Sequence, residues 1–264
     1  GGSLGGKARG LAFARSMIKQ SGIEEEFEDV TIRVPDCAVV GTHEFDQFMK
    51  DNQLWQKALK IADNKKLERA FKKARLSIDL ILKLESFILD HKNPLAVRSS
   101  SLLEDSQYQP LAGSYKTIML PNNSRSTKKR LNELMIAIKS VFASTFKGEA
   151  KSLLDSTGHR IEEEKMAVVI QELVGQSYKS KRFYPTFSGV LKSINYYPVS
   201  YMKRDEGVAY LALGFGRTIV DGEKCLRISP EYPLILPQFY SVKATKQNSQ
   251  NQFYGLQLKA SDNN

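Results

Sequence analysis

The sequence predicts an α/β protein, α+β in detail, because two kinds of apolar pattern share its 264 residues. Apolar side chains recur at helical spacing over 67–82 and 131–142, which is typical of amphipathic helices. Apolar runs at 95–97 and 208–213, and the run at 165–174 that passes into a polar end, have the length of buried strands. We expect an N-terminal lobe over residues 1–120, a helical segment over 121–160 and a mainly β lobe over 161–264.

Composition excludes several classes of protein. With 41% hydrophobic residues the chain can bury a substantial core. It has no run of 18 apolar residues, so no membrane span is predicted. Cys37 and Cys225 lie far apart without a CxxC motif, which indicates reduced thiols and predicts a cytoplasmic protein. His43, His91 and His159 lack metal-ligand spacing, so we assign no metal-binding residue.

The net charge of +10 suits an anionic partner such as a nucleotide, a nucleic acid or a membrane surface. Much of the excess lies between residues 57 and 75, where the lysines alternate with apolar residues at helical spacing. This pattern is typical of the solvated face of amphipathic helices. Because no aromatic-interleaved basic motif accompanies this stretch, nucleic-acid binding is the less favoured interpretation.

The N-terminal stretch GGSLGGKARGLAFARSMIKQ reads as a glycine loop that enters a helix. It places Lys7 near the helix N-terminus, where backbone N–H groups and the helix dipole favour an anion. The spacing from Gly1 to Lys7 is one residue short of a P-loop, and Ala8 stands where Ser or Thr should ligate magnesium. No strand precedes the loop, so we reject a P-loop.

The stretch from Pro94 to Thr117 is the strongest candidate for a phosphate site. An apolar strand delivers Arg98 and three serines, Ser101 and Glu104 have capping-box spacing, and a small-residue loop follows. A guanidinium offers a planar charged fork to phosphate oxygens, and a glycine loop lets backbone approach a ligand. The alternative is a surface arginine beside serines that only cap a helix.

Five motifs, in order over residues 5–230, resemble the nucleotide-binding domain of phosphoenolpyruvate synthase and pyruvate phosphate dikinase. They are GGK at 5–7, AVRSSSLLED with LAGSYKT at 96–117, KMAVVIQELV at 165–174, SGV at 188–190 and GFGRTIVDG at 214–222. The resemblance implies a two-lobed, ATP-grasp-like nucleotide-binding domain with a helical insertion.

The resemblance also implies roles for individual residues. Lys7 and Arg98 are expected to contact the phosphates of ATP as the catalytic residues, and Ser99, Ser100 and Gly113 to close over those phosphates. The polar end of the 165–174 run is expected to lie along the adenine. The adenine candidates are Gln171, Glu172, Leu173 and Val174.

The chain departs from the family pattern at Arg217, which occupies a position where the family has glutamate. An arginine cannot ligate magnesium but could pair with phosphate, and Glu223 could supply a carboxylate nearby. The family segment E-x-x-L…Q-x-R-P, whose side chains bind Mg²⁺ and the transferred phosphates, is not found in the sequence. We expect the magnesium ligands beyond Asn264, and ATP with Mg²⁺ as the cofactors.

The function implied by the resemblance is an ATP-dependent phosphotransferase. ATP would phosphorylate a histidine of a separate domain, which would pass the phosphate to pyruvate bound by a further domain of the same protein. The 264 residues of this chain alone are expected to bind nucleotide weakly and to be inactive. The alternatives are a dikinase-type enzyme with another acceptor, and a degenerate, non-catalytic module that senses nucleotide or binds a partner.

Overall fold

A computed structural model describes residues 2–101, 116–147, 165–179, 181–199 and 201–258. The chain forms two compact units, Gly1–Leu173 and Val174–Ala260. This division differs from the boundaries expected at 120 and 160. The apolar run at 165–174 pairs with strands of the first unit, although the sequence boundaries assigned it to the second lobe. Both units mix helices with antiparallel sheets, which agrees with the predicted α/β class.

The first unit contains a four-stranded antiparallel sheet in the order β1–β4–β2–β3. Its strands are β1 Cys37–Val40, β2 Leu95–Ser101, β3 Thr117–Leu120 and β4 Met166–Glu172. Its helices are α1 Gly5–Ser21, α2 Thr42–Asp51, α3 Leu54–Lys60, α4 Asn64–Lys73, α5 Ile78–Asp90 and α6 Thr127–Ser144. Strand β2 runs on through all three serines, because each of them pairs with a residue of β4.

Helices α2 to α6 pack on one face of the sheet and build the core there. Aromatic rings from α2, α4 and α6 meet at the centre of this core. The ring centre of Phe142 lies 5.1 Å from that of Phe45 and 5.4 Å from that of Phe48. Burial of one phenylalanine contributes roughly 1.5–3 kcal/mol. Helix α1 packs instead against β2 and β4 on the opposite face. The sheet therefore has a thick, apolar side and a second side on which α1 packs.

The second unit consists of two three-stranded antiparallel sheets and two short helices in its described residues. One sheet has the order β10–β6–β5 and the other β7–β8–β9. The strands are β5 Gln176–Tyr178, β6 Arg182–Tyr184, β7 Phe187–Lys192, β8 Val208–Leu213, β9 Leu226–Ile228 and β10 Leu256–Gln257. The helices are α7 Arg217–Val220 and α8 Val242–Asn248.

Across the ranges that the structure describes, no helix is long and apolar enough to span a membrane.

Candidate functional site

Lys7 and Arg98 lie 91 positions apart in the sequence and line the same cavity. The cavity has a volume of about 220 Å³, and Gly10, Leu11 and Val169 complete its lining. Arg98 and Val169 are direct partners in the register of β2 and β4, so both point to the face that α1 covers. Because Lys7 belongs to the first turn of α1, the cavity lies between that helix and the sheet.

Ser100 fixes the first turn of α1 onto strand β2. Its hydroxyl donates to the carbonyl oxygen of Leu4 at 2.9 Å and accepts from the backbone N–H of Ala8 at 3.1 Å. The residue is fully buried, so both bonds are shielded from water. Ser100 lies two residues from Arg98 on the same side of the strand. The hydroxyl expected to close over phosphate is therefore used to position the helix that carries Lys7.

Gly5 allows the helix to approach the strand this closely. Its φ is +74°, and an added Cβ would lie 1.8 Å from the carbonyl oxygen of Ser100. The preceding segment is held by α2, because the N–H of Ser3 donates to Thr42 Oγ1 at 2.9 Å and the N–H of Thr42 donates to the Ser3 carbonyl at 3.0 Å. The glycine-rich start is thus a fitted connection between α1, α2 and β2.

The cavity is electropositive. Among the described residues, its lining combines an ammonium and a guanidinium with apolar and glycine residues and includes no carboxylate. Lys7 lies in the first turn of a 17-residue helix that has no acidic residue in that turn. The N-terminal end of the helix dipole adds to the positive charge of the two side chains. Such a lining can bind the oxygens of a phosphate group, and its described residues offer no side-chain ligand for Mg²⁺.

Of the other predicted phosphate contacts, Ser99 lies on the opposite face of the sheet. Ser99 pairs with Val168 and points to the core face, because successive strand residues alternate between faces. It therefore does not share a face with Arg98. Gly113 lies outside the described residues.

The predicted adenine contacts are split between environments. Gln171 lies on the same face as Arg98, two residues beyond Val169, and pairs with Ala96 and Cys37. The next residue, Glu172, points the other way, and its Oε2 accepts from Asn93 Nδ2 at 3.5 Å. The backbone N–H of Leu173 donates to the Pro94 carbonyl at 2.8 Å. Val174 is exposed and belongs to the second unit.

Arg217 and Glu223 form a polar cluster in the second unit. Arg217 Nε donates to Asp221 Oδ2 at 2.8 Å, and its guanidinium lies 4.8 Å from the ring centre of Tyr254. The hydroxyl of Tyr254 donates to Glu223 Oε1 at 2.5 Å. The Asp221 carboxylate raises the pKa of Arg217, and the hydrogen bond to Glu223 raises the pKa of Tyr254. Both candidates thus make their polar contacts within this cluster.

Sequence reasoning missed the positioning role of Ser100 and the cavity contribution of Val169. The register of β2 against β4 puts Val169 beside Arg98 and places Ser100 on the same face. On that face the Ser100 hydroxyl bonds to the first turn of α1. A signal was present in the alternation of β2, where Ala96, Arg98 and Ser100 fall on one face. Within the described ranges, no group of three His, Cys, Asp or Glu side chains could hold a metal ion.

Comparison with known proteins adds two findings. The family model for the AMP/ATP-binding domain of pyruvate phosphate dikinase matches residues 2–259. An uncharacterized phosphotransferase of Bacillus subtilis, YvkC, is 28% identical over 192 residues, which are 72% of this chain and 20% of that protein. The chain thus spans about a fifth of the length of this relative.

Proposed function

Because this chain belongs to the AMP/ATP-binding domain family of pyruvate phosphate dikinase, we propose that it binds ATP with the phosphates held between Lys7 and Arg98. The observation that carries the proposal is the shared cavity between α1 and the sheet. A triphosphate carries several negative charges, and this cavity offers two cations beside a helix N-terminus.

Each lining residue has a distinct part in this proposal. Arg98 would bind two phosphate oxygens through its planar fork, and Lys7 would act as a point charge that follows the phosphates. Ser100 would hold the two cations at a fixed separation, since it ties α1 to β2. Gln171, farther along the same face, carries an amide donor and an amide acceptor suited to the edge of an adenine ring.

We further propose that this chain is an ATP-grasp-like domain of a phosphotransferase. We propose that a histidine of a separate domain accepts a phosphoryl group from ATP and passes it to pyruvate or another acceptor. Mg²⁺, held by groups outside the Lys7–Arg98 cavity, would supply neutralisation of phosphate charge during transfer. The residues described here would bind and orient the nucleotide, and the protein would act in the cytoplasm.

A calorimetric titration of ATP with Mg²⁺ tests the site. Arg98→Gln and Lys7→Gln each remove one charge, and each is expected to weaken binding by roughly 10- to 100-fold, the range for a charge-assisted hydrogen bond. Lys19→Gln is the matched control, because Lys19 is an exposed residue in the last turn of the same helix. Circular dichroism would establish that every variant is folded. Wild-type affinity in both folded site variants would refute this assignment.

Transfer to histidine is tested separately on the full-length protein with ATP labelled in the β- or γ-phosphate. Acid-labile, alkali-stable label on the protein is the expected result, because phosphohistidine has that stability. Nucleotide binding without any label would instead favour the non-catalytic sensing or interaction module.

A further inference from the structure

A second basic cavity lies in the first unit, at a different place from the Lys7–Arg98 cavity. It has a volume of about 490 Å³ and is formed where α5 ends and α6 begins. Its lining residues are Lys92, Asn122, Asn123, Ser124, Arg125 and Arg130. Three of these six carry a positive charge and none carries a negative one. A volume of this size falls within the range of small-molecule sites, roughly 300–1,000 Å³.

The cations that line this cavity have no ion-pair partner among the described residues. Among the described residues, no ion pair within 4 Å involves Lys92, Arg125 or Arg130. Helix α6 begins at this cavity with Thr-Lys-Lys-Arg and has no acidic residue in its first turn. Basic residues there oppose the usual preference, since the helix N-terminus is already positive. The local potential therefore favours an anion.

Arg130 indicates that this cavity is a preformed anion-binding site. It is only 6% exposed, and it is a cation at the wall of the cavity. Its Nη1 donates to the carbonyl oxygens of Ile88 at 2.8 Å and His91 at 3.1 Å, which fixes the guanidinium. Those carbonyls end α5 and represent about half an elementary charge, so they offset the full charge of Arg130 only in part. A buried guanidinium without a carboxylate is stabilised by a bound anion.

Asn122 lies next to Arg130, because its Oδ1 accepts from Arg130 Nη1 at 3.5 Å, and it makes this part of the wall rigid. Asn122 has a φ of 50° and is 3% exposed. Its Nδ2 donates to the carbonyl oxygens of His91 and Asn93, both at 2.9 Å. This side chain joins the end of α5 to the start of β2, so the cavity keeps its shape without a ligand. A purely structural role explains Arg130 as a cap for α5, whereas the exposed Lys92 and Arg125 lie at the same cavity, where both can reach a bound anion.

We propose that this cavity binds the phosphate or diphosphate group of a small molecule, separately from ATP at Lys7 and Arg98. Arg125 and Lys92 would contact the phosphate oxygens, and Arg130 would supply charge from the wall. A volume of about 490 Å³ exceeds the need of a bare phosphate. The ligand class is therefore a phosphorylated small molecule.

Pyrophosphate is the probe for the test, titrated by calorimetry at constant ionic strength. Lys92→Gln with Arg125→Gln is expected to weaken one class of site at least about tenfold. Lys128→Gln with Lys129→Gln is the matched control. It also removes two positive charges, from the first turn of α6 that contains Arg130, and neither residue lines the cavity. This control is expected to bind nearly as the wild type does.

Three outcomes would overturn the proposal. One is unchanged binding in the Lys92/Arg125 variant, and another is an equal loss in both double variants, which would indicate a diffuse positive surface. The third is loss of all pyrophosphate binding in Arg98→Gln, which would leave a single site and support the ATP assignment alone. Failure of ATP binding in Arg98→Gln with the second class of site intact supports both proposals independently.

Discussion

Two arginines that the family resemblance linked to nucleotide, Arg98 and Arg217, have opposite surroundings. Arg98 belongs to a central strand of the first unit and lines a cavity whose described residues include a second cation and no carboxylate. Arg217 begins a four-residue helix of the second unit, is bonded to Asp221 and lies over Tyr254. The guanidinium of Arg98 thus faces a cavity, whereas that of Arg217 is paired with a carboxylate.

The difference shows that a charged residue at a motif position gains its chemistry from its neighbours. A guanidinium already paired with a carboxylate has less to offer an anion, since binding must compete with the existing pair. Glu223 is similar, because one of its oxygens accepts from Tyr254. We therefore expect the first unit to contribute most of the phosphate affinity, and the following substitutions test that expectation.

The largest effect is expected from Gly5→Ala. The new methyl group would overlap the carbonyl of Ser100, and alanine is strained at a φ of +74°. The first turn of α1 must then move away from β2, which separates Lys7 from Arg98. We expect a loss of about 2–4 kcal/mol in the free energy of unfolding, measured with urea, and the loss of most ATP affinity.

Gly10→Ala is the control for this change in the same helix. Among the described residues, an added Cβ at Gly10 meets no atom within 4 Å outside its own helix backbone and chain neighbours, so the stability of this variant is expected to rise by about 0.5–1 kcal/mol through helix propensity. Equal stability of the two variants would contradict the fitted contact between Gly5 and Ser100.

An intermediate effect is expected from Glu68→Gln. This substitution tests a network in the first unit in which, as in the Arg217 pair, the charged groups are paired with one another. The carboxylate of Glu68 is bonded to Lys72 at 2.8 Å, Lys116 at 3.2 Å and Lys147 at 3.3 Å. Partial burial raises the pKa of Glu68, but the hydrogen bonds from Lys72 and Lys116 outweigh it and lower the pKa from 4.5 to about 2.

A carboxylate whose pKa is lowered by folding stabilises the protein above its unfolded pKa and loses that contribution as the pH falls toward its folded pKa. Glu68→Gln is therefore expected to cost about 1–2 kcal/mol at pH 7, after allowance for screening by solvent. The unfolding free energies of variant and wild type should converge as the pH falls from 4.5 to about 2. A constant difference across that range would exclude this role.

The smallest effect is expected from Arg217→Ala. The side chain is 64% exposed and forms an i, i+4 pair, which is a weak class of interaction. We expect the affinity for ATP with Mg²⁺ to change by less than about twofold. A loss comparable to that of Arg98→Gln would reverse the comparison, since Arg217 would then have to leave Asp221 and contact phosphate.

Much of the first unit could be predicted from local pattern. The apolar runs at 95–97 and 165–174 are β2 and β4, and the helical pattern at 131–142 is part of α6. The serines after Arg98 were harder, because hydroxyl residues are common in turns and helix caps. Pairing with β4 keeps Ser99 to Ser101 in a strand, and pairing is a contact that no local pattern specifies. Whether Lys7 and Arg98 contact phosphate stays a prediction.

By itself, the sequence determined the mixed α/β class and the presence of Lys7 and Arg98, because periodicity and motif spacing are local properties of a chain. The tertiary structure decided how those residues meet. Antiparallel register sets Arg98 beside Val169, the hydroxyl of Ser100 holds α1 over both, and Asp221 pairs with Arg217. These contacts depend on the packing of distant segments, since a charge is directed to a ligand or to a neighbour only after its surroundings are fixed.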